Sequence, residues 1–165
     1  MPGRQKIIIL VLHLLLLIPS FALALQQGDQ FPALTGKLLS GGDFEFKQLE
    51  GKPILIKIGT TWCPACEEQS ADIKKLDTFL DQHQIQYVEV FVQESAATVK
   101  RFLNNQKYRS PNVAVLDSGK IARELNIYTI PRVILVNKNF QIVRDGAPLG
   151  EKALKSQLQQ MLTGK

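Results

Sequence analysis

The chain has 165 residues, 45% of them hydrophobic and 21% charged, with a formal charge of +5. Its lysines and arginines are scattered rather than clustered, which leaves no footprint for nucleic acid. Its only two cysteines stand three apart, at Cys63 and Cys66. They supply two of the four ligands that structural zinc takes, and His83 is the one histidine outside the N-terminal leader, which argues against a metal site.

That leader is residues 1–24. Arg4 and Lys6 make a basic start, residues 7–18 are apolar apart from His13, and Pro19 and Ser20 break the run before Ala22-Leu23-Ala24. A basic start, an apolar core and a small-x-small site together read as a secretory signal peptide. The alternative is an uncleaved membrane anchor through residues 7–24, because the run approaches the roughly 18 residues a span needs. Either way the basic end stays in the cytoplasm and the rest is exported to the periplasm or another extracytoplasmic space. No cysteine directly follows the run, which argues against a lipid anchor. Losing Arg4 and Lys6 lowers the formal charge from +5 to +3. Residues 25–165 suffice for one domain with a real core.

Residues 25–30 are a polar lead-in. Phe31-Pro32-Ala33-Leu34 and Phe44-Glu45-Phe46 bracket Ser40-Gly41-Gly42-Asp43, which predicts two short strands joined by a turn, an N-terminal β-hairpin. After Gly51-Lys52-Pro53, the β-branched run 54–58 predicts a central strand. Gly59-Thr60-Thr61 then leads to Trp62-Cys63-Pro64-Ala65-Cys66. From Pro64 to about Gln82, the apolar residues Cys66, Ile73, Leu76, Phe79 and Leu80 fall near helical spacing and predict a helix. Residues 86–92 alternate as a strand, 96–103 read as a helix, and 112–116 as a strand ended by Asp117-Ser118-Gly119. A short helix is expected at 122–125. Residues 133–136 and 141–143 flank Asn137-Lys138-Asn139 as a hairpin, and 151–162 close the chain as a helix. Strands alternating with helices imply an α/β protein whose sheet is covered on both faces.

Residues i and i+3 of a helix are neighbours, with Cα atoms roughly 5–6 Å apart, the separation a disulfide needs. A disulfide across so short a loop adds little stability, so the pair reads as one made to be formed and broken. A helix start favours negative charge, and the thiolate is the nucleophile. Cys63 is therefore the expected attacking sulfur, with Cys66, one turn deeper, resolving the mixed disulfide. Pro64 suits the first helical position, where its missing N–H costs nothing. Trp62 is read as a lid packed beside the disulfide, and Tyr128, Phe91 and Phe102 as core. His83, near a helix C-terminus, is read as a surface residue or one that complements the helix dipole. Arg132 is read either as a solvated charge or as a guide for an acidic client. No bound cofactor is expected beyond the cysteine pair.

Together, Gly51-Lys52-Pro53, Trp62-Cys63-Pro64-Ala65-Cys66, Asp117-Ser118-Gly119 and Ile130-Pro131 resemble the thioredoxin superfamily, and among its branches the exported TlpA/ResA/CcmG-like one. The resemblance covers about residues 31–162. It implies a thioredoxin fold, a central mixed sheet flanked by helices, here with the N-terminal hairpin as an extension. It also implies a cis Pro131 facing the disulfide, with the backbone of Ile130 pairing with the client chain. The activity implied is thiol–disulfide exchange with client proteins, in the reducing direction. An example is keeping the haem-binding cysteines of apocytochrome c reduced, with a second redox protein, membrane-bound in some systems, resetting the pair. An oxidase or isomerase of the same fold is the alternative.

Two positions depart from the family pattern. Lys57 stands where thioredoxins carry a buried Asp and the exported branch often has Asn. Gln69 stands where that branch often carries Glu. The expectation for Lys57 is a strand position toward the sheet edge, its stem snorkelling to water. The sharper alternative is a buried ammonium near Cys66 that accepts its proton or stabilises its thiolate. Two further readings stay open. A peroxidase is suggested by Thr60, three residues before Cys63, although Ile56 replaces the Pro of those enzymes. A non-catalytic binding module of the same fold would not need both cysteines intact.

Overall fold

The computed structural model describes residues 25–105, 109 and 111–164. The leader, with its cleavage and anchoring expectations, lies outside them. The strands are β1 (Thr35–Leu38), β2 (Asp43–Glu45), β3 (Ile54–Gly59), β4 (Gln86–Val92), β5 (Val113–Asp117), β6 (Arg132–Val136) and β7 (Ile142–Gly146). The helices are α1 (Pro64–Lys74), α2 (Asp77–Gln82), α3 (Ala96–Asn105), α4 (Lys120–Glu124) and α5 (Glu151–Thr163). One sheet holds all seven strands in the order β2-β1-β5-β4-β3-β6-β7. β3, β4 and β5 run parallel, and β6 and β7 return antiparallel on one side. This is the mixed sheet of the thioredoxin fold.

Strand alternation divides the apolar residues between two cores. Ile54, Ile56 and Ile58 of β3 face one side, with Val88, Val90, Ile134 and Val136, and are covered by Phe31, Leu34, Phe46, Ile121 and Leu125. Leu55, Tyr87, Val133 and Leu135 face the other, covered by Ile73 of α1, Leu80 of α2 and Leu76 between them, and by Leu154, Leu158 and Met161 from α5. β3 is buried at all six positions, as a strand between two layers must be.

The N-terminal hairpin exists, but its first strand lies later than the sequence pattern suggests. Phe31 and Leu34 are buried anchors rather than strand residues. Pro32 has no N–H to pair, the Phe31 N–H donates to Phe140 O at 2.8 Å, and the Leu34 N–H donates to Pro32 O at 2.8 Å, which turns the chain. Pairing begins at Thr35, opposite Glu45. The single helix expected from Pro64 to Gln82 is two. The chain leaves helical geometry at Leu76 (φ −100°, ψ 9°), whose N–H bonds to Ile73 O, three residues back. Ile73, Leu76 and Leu80 stay in one core across the break, so spacing alone does not reveal it.

Candidate functional site

β3 delivers the chain to the cysteines. Cys63 caps α1 from an extended backbone (φ −92°, ψ 113°), with Pro64 behind it at the first turn. The Cys66 N–H donates to Cys63 Sγ at 3.3 Å, and Cys63 O accepts the Cys66 and Glu67 N–H groups at 3.0 and 3.1 Å. Both thiols are free. Cys63 keeps 7% of its surface exposed and Cys66 1%, so the sulfur nearer to solvent is the one held at the helix start.

Cys66 lies against Gly59. A Cβ at Gly59 would stand 2.8 Å from Cys66 Sγ and 3.9 Å from Lys57 Cε. Glycine is required there by close approach, and the same space places Lys57 beside the inner sulfur. Burial first, then the hydrogen bond and charge of Cys63, push the Cys66 thiol up to about 12, against a backbone hydrogen bond from Thr60 and the charge of Lys57, which lower it.

Lys57 is not near an edge and does not snorkel. Its strand is central, between β4 and β6, and the side chain is 1% exposed. A buried ammonium needs an anion, and parallel register supplies one: Lys57 sits beside Glu89. Lys57 Nζ donates to Glu89 Oε1 and to Ser70 Oγ, each at 2.5 Å. Tyr87 Oη donates to Glu89 Oε2 at 2.8 Å, and Ser70 Oγ donates to Cys66 O at 3.1 Å. Burial and the neighbouring carboxylate hold the Tyr87 hydroxyl well above its ordinary range. The sequence reading found Lys57 and missed Glu89, Ser70 and Tyr87. A carboxylate inside the alternating run Tyr87-Val88-Glu89-Val90-Phe91 was the available signal.

Two further contacts fix the loops around the pair. The Thr61 N–H and hydroxyl donate to Glu94 at 2.8 and 2.5 Å, tying the segment before Cys63 to the end of β4. Gln69, buried in α1, donates from Nε2 to Leu149 O at 3.0 Å and accepts the Leu149 N–H at 2.7 Å. Its amide matches a backbone group, a pairing a carboxylate could not make in full. Thr60 Oγ1 is buried and makes no hydrogen bond among the described residues, so it does not hold a sulfur as the peroxidase reading would need.

Ile130 and Pro131 precede β6, the neighbour of β3, and their peptide bond is cis. Ile58 pairs with Arg132, which sets Pro131 at the end of β3 from which the cysteine loop departs. Arg132 is partly exposed and its charge is paired, because its Nε donates to Asp145 at 2.6 Å. Two aromatic expectations are corrected. Trp62 is 72% exposed rather than packed, and Tyr128 is 89% exposed rather than core. Phe91 is buried, with Phe102 edge-on to it at 6.3 Å between ring centroids, and His83 is exposed as expected.

Comparison with known proteins follows the same lines. The family described as Redoxin matches residues 26–161. The thiol-disulfide oxidoreductase ResA of Halalkalibacterium halodurans is 29% identical over 118 residues, 71% of this chain and 66% of that protein. The thiol:disulfide interchange protein DsbE of Pseudomonas aeruginosa is 25% identical over 149 residues, 82% of this chain and 80% of that protein. A solved thiol:disulfide interchange protein of the thioredoxin family from Chlorobium tepidum superposes with a TM-score of 0.70 at 19% identity, covering 83% of this chain and 98% of its own.

Proposed function

This chain belongs to the Redoxin family and is a thiol–disulfide oxidoreductase, and we propose that Cys63 is its nucleophile and Cys66 its resolving thiol. The Cys63 thiolate attacks one sulfur of a client disulfide. A Cys63–client bond forms, the client bond breaks, and the departing sulfur leaves as a thiolate that takes up a proton. Cys66 then gives up its proton and attacks Cys63 Sγ. The Cys63–Cys66 bond forms, the second client sulfur leaves and is protonated, and two electrons have passed to the client. A partner redox protein returns them by the reverse steps, and no other cofactor takes part.

The observation that carries this reading is the asymmetry of the pair. Cys63 reaches solvent at a helix start, and Cys66 lies buried behind it with a raised pKa. Two of the influences that keep Cys66 protonated come from Cys63, its hydrogen bond and its charge. Both vanish once Cys63 is bonded to the client. The charge of Lys57 and the Thr60 backbone remain, and they favour the Cys66 thiolate when it is needed. Lys57 supports the step by its charge, with Trp62, Pro64, Ile130 and Pro131 framing the place where the client chain would lie.

The direction we propose is reductive, on clients such as apocytochrome c haem-binding cysteines, outside the cytoplasm after export by residues 1–24. The resemblance to the ResA and CcmG branch supports it. One observation favours the opposite direction. A cation beside Cys66 stabilises the reduced pair and makes the disulfide more oxidising. Equilibration with glutathione couples separates the two. A potential clearly below the glutathione range of about −220 to −260 mV supports a reductant, and one near about −120 mV overturns it in favour of an oxidant.

A further inference from the structure

We propose that the Thr60 hydroxyl is a second hydrogen-bond donor to the Cys66 sulfur, engaged when Cys66 is ionised and idle when it is not. This rests on the exchange reaction proposed above and concerns how its second step is assisted. Thr60 is 7% exposed, and its Oγ1 is buried without a hydrogen-bond partner among the described residues. A buried hydroxyl left unpaired costs free energy, and a Val there would have nearly the same shape without that cost. An orphan of this kind calls for another state of the protein in which it is satisfied.

The surroundings point to the acceptor. The backbone on both sides of Thr60 is fixed: Gly59 pairs with Phe91 at the end of β3, and Thr61 gives its N–H and hydroxyl to Glu94. The Thr60 N–H already bonds the Cys66 sulfur. Rotation about χ1 turns the hydroxyl of the same residue while that N–H stays in place. A neutral thiol is a weak acceptor, which fits the idle hydroxyl of the reduced protein, whereas a thiolate draws a much stronger hydrogen bond.

The charges around Cys66 show when this donor is needed. Facing it are Cys63 on its own helix and Lys57 on β3, with Glu89 of β4 behind Lys57 and the Tyr87 hydroxyl behind Glu89. Lys57 Nζ is bonded to Glu89 and Ser70, so it reaches Cys66 by charge rather than by a hydrogen bond. In the mixed disulfide, Cys66 gives up its proton to water. Its thiolate, shielded from solvent, accepts the Thr60 N–H and the Thr60 hydroxyl together and attacks Cys63 Sγ. The Cys63–Cys66 bond forms, the bond from Cys63 to the client breaks, and the negative charge leaves on the second client sulfur, which is protonated. The hydroxyl then has no anion to hold and is idle again.

Titration of Cys66 tests this in Cys63→Ala protein, where it is the only thiol left. Adding Thr60→Val is expected to lower the Cys66 ionisation constant about tenfold, and adding Thr60→Ser to leave it within about twofold. With both cysteines present, stopped-flow release of the second client thiol near neutral pH is expected to slow about threefold in Thr60→Val, because a smaller thiolate fraction is partly offset by a more nucleophilic sulfur. The urea midpoint of reduced Thr60→Val is expected to equal or exceed that of the unaltered protein, since an unpaired donor is removed. An ionisation constant that Thr60→Val leaves unchanged, or that Thr60→Ser lowers as much, would overturn the inference. So would a lower urea midpoint in Thr60→Val, which would mean that the hydroxyl is bonded in the reduced state. Failure of the unaltered protein to exchange with any client disulfide would instead remove the oxidoreductase reading, and the assisted step with it, whatever the titration shows.

Discussion

Lys57 Nζ stands 2.5 Å from Glu89 Oε1, both side chains shielded from solvent and side by side on parallel strands directly beneath the inner cysteine. The pair is buried charge in the centre of a sheet, which is stable only when complete. Lys57→Met leaves the Glu89 carboxylate unpaired and is expected to cost about 3–5 kcal/mol in urea unfolding of the reduced protein. Lys57→Met with Glu89→Leu removes both charges and is expected to recover most of that loss. In thiol titration, Lys57→Met raises Cys66 further, because a cation that pulls it down is gone. Glu89→Gln leaves that cation uncompensated and lowers Cys66. Opposite shifts from the two variants separate an electrostatic role from mere packing.

The raised Cys66 thiol makes stability depend on alkaline pH. Below 9.0, its ordinary value, folded and unfolded chains both hold the proton, and the contribution is fully present. As pH climbs from 9.0 toward about 12, the unfolded chain releases the proton and the folded one keeps it, so stability falls. Thermal unfolding of the reduced protein across pH 9.0 to about 12, compared with reduced Cys66→Ser, is expected to show a steeper decline in the unaltered protein.

Gly59→Ala tests the close approach behind the inner sulfur. Its Cβ would stand 2.8 Å from Cys66 Sγ, a contact that neither β3 nor α1 can relieve without shifting. Overpacking of this kind costs about 1–3 kcal/mol. The expected outcome is a loss of that size in denaturant unfolding, together with slower closure of the Cys63–Cys66 disulfide in stopped-flow oxidation.

Glu94 anchors Thr61, two residues before Cys63, through two hydrogen bonds. Glu94→Ala frees the Thr61 N–H and is expected to cost about 1–3 kcal/mol. Amide exchange at Thr61 and Trp62 should rise, with exchange in β4 unchanged. Glu94→Gln, which keeps an acceptor, is expected to show a smaller effect.

Much of this was legible in the chain itself. The Trp62-Cys63-Pro64-Ala65-Cys66 run and the β-branched strand before it pointed to the fold and to the cysteine pair proposed to react. Helical spacing failed at Leu76 because the apolar stripe continues across the break. The first hairpin strand was misplaced because Phe31 and Leu34 are buried for tertiary reasons, without pairing. Lys57 was misjudged because its partner is 32 residues away. Only the parallel register of β3 and β4 brings Glu89 beside it. Tyr128 was taken for core because large aromatics usually are, and its exposure follows from a loop course that local sequence does not encode.

The proposed division of labour between the sulfurs is tested most directly by trapping. Cys66→Ala protein is mixed with a disulfide-bridged client peptide and analysed by mass spectrometry with and without reductant. The expected result is a stable, reducible adduct on Cys63 that the unaltered protein does not accumulate. An absence of adduct, or an adduct that forms equally well when Cys63 is replaced by Ala and Cys66 is kept, would contradict it.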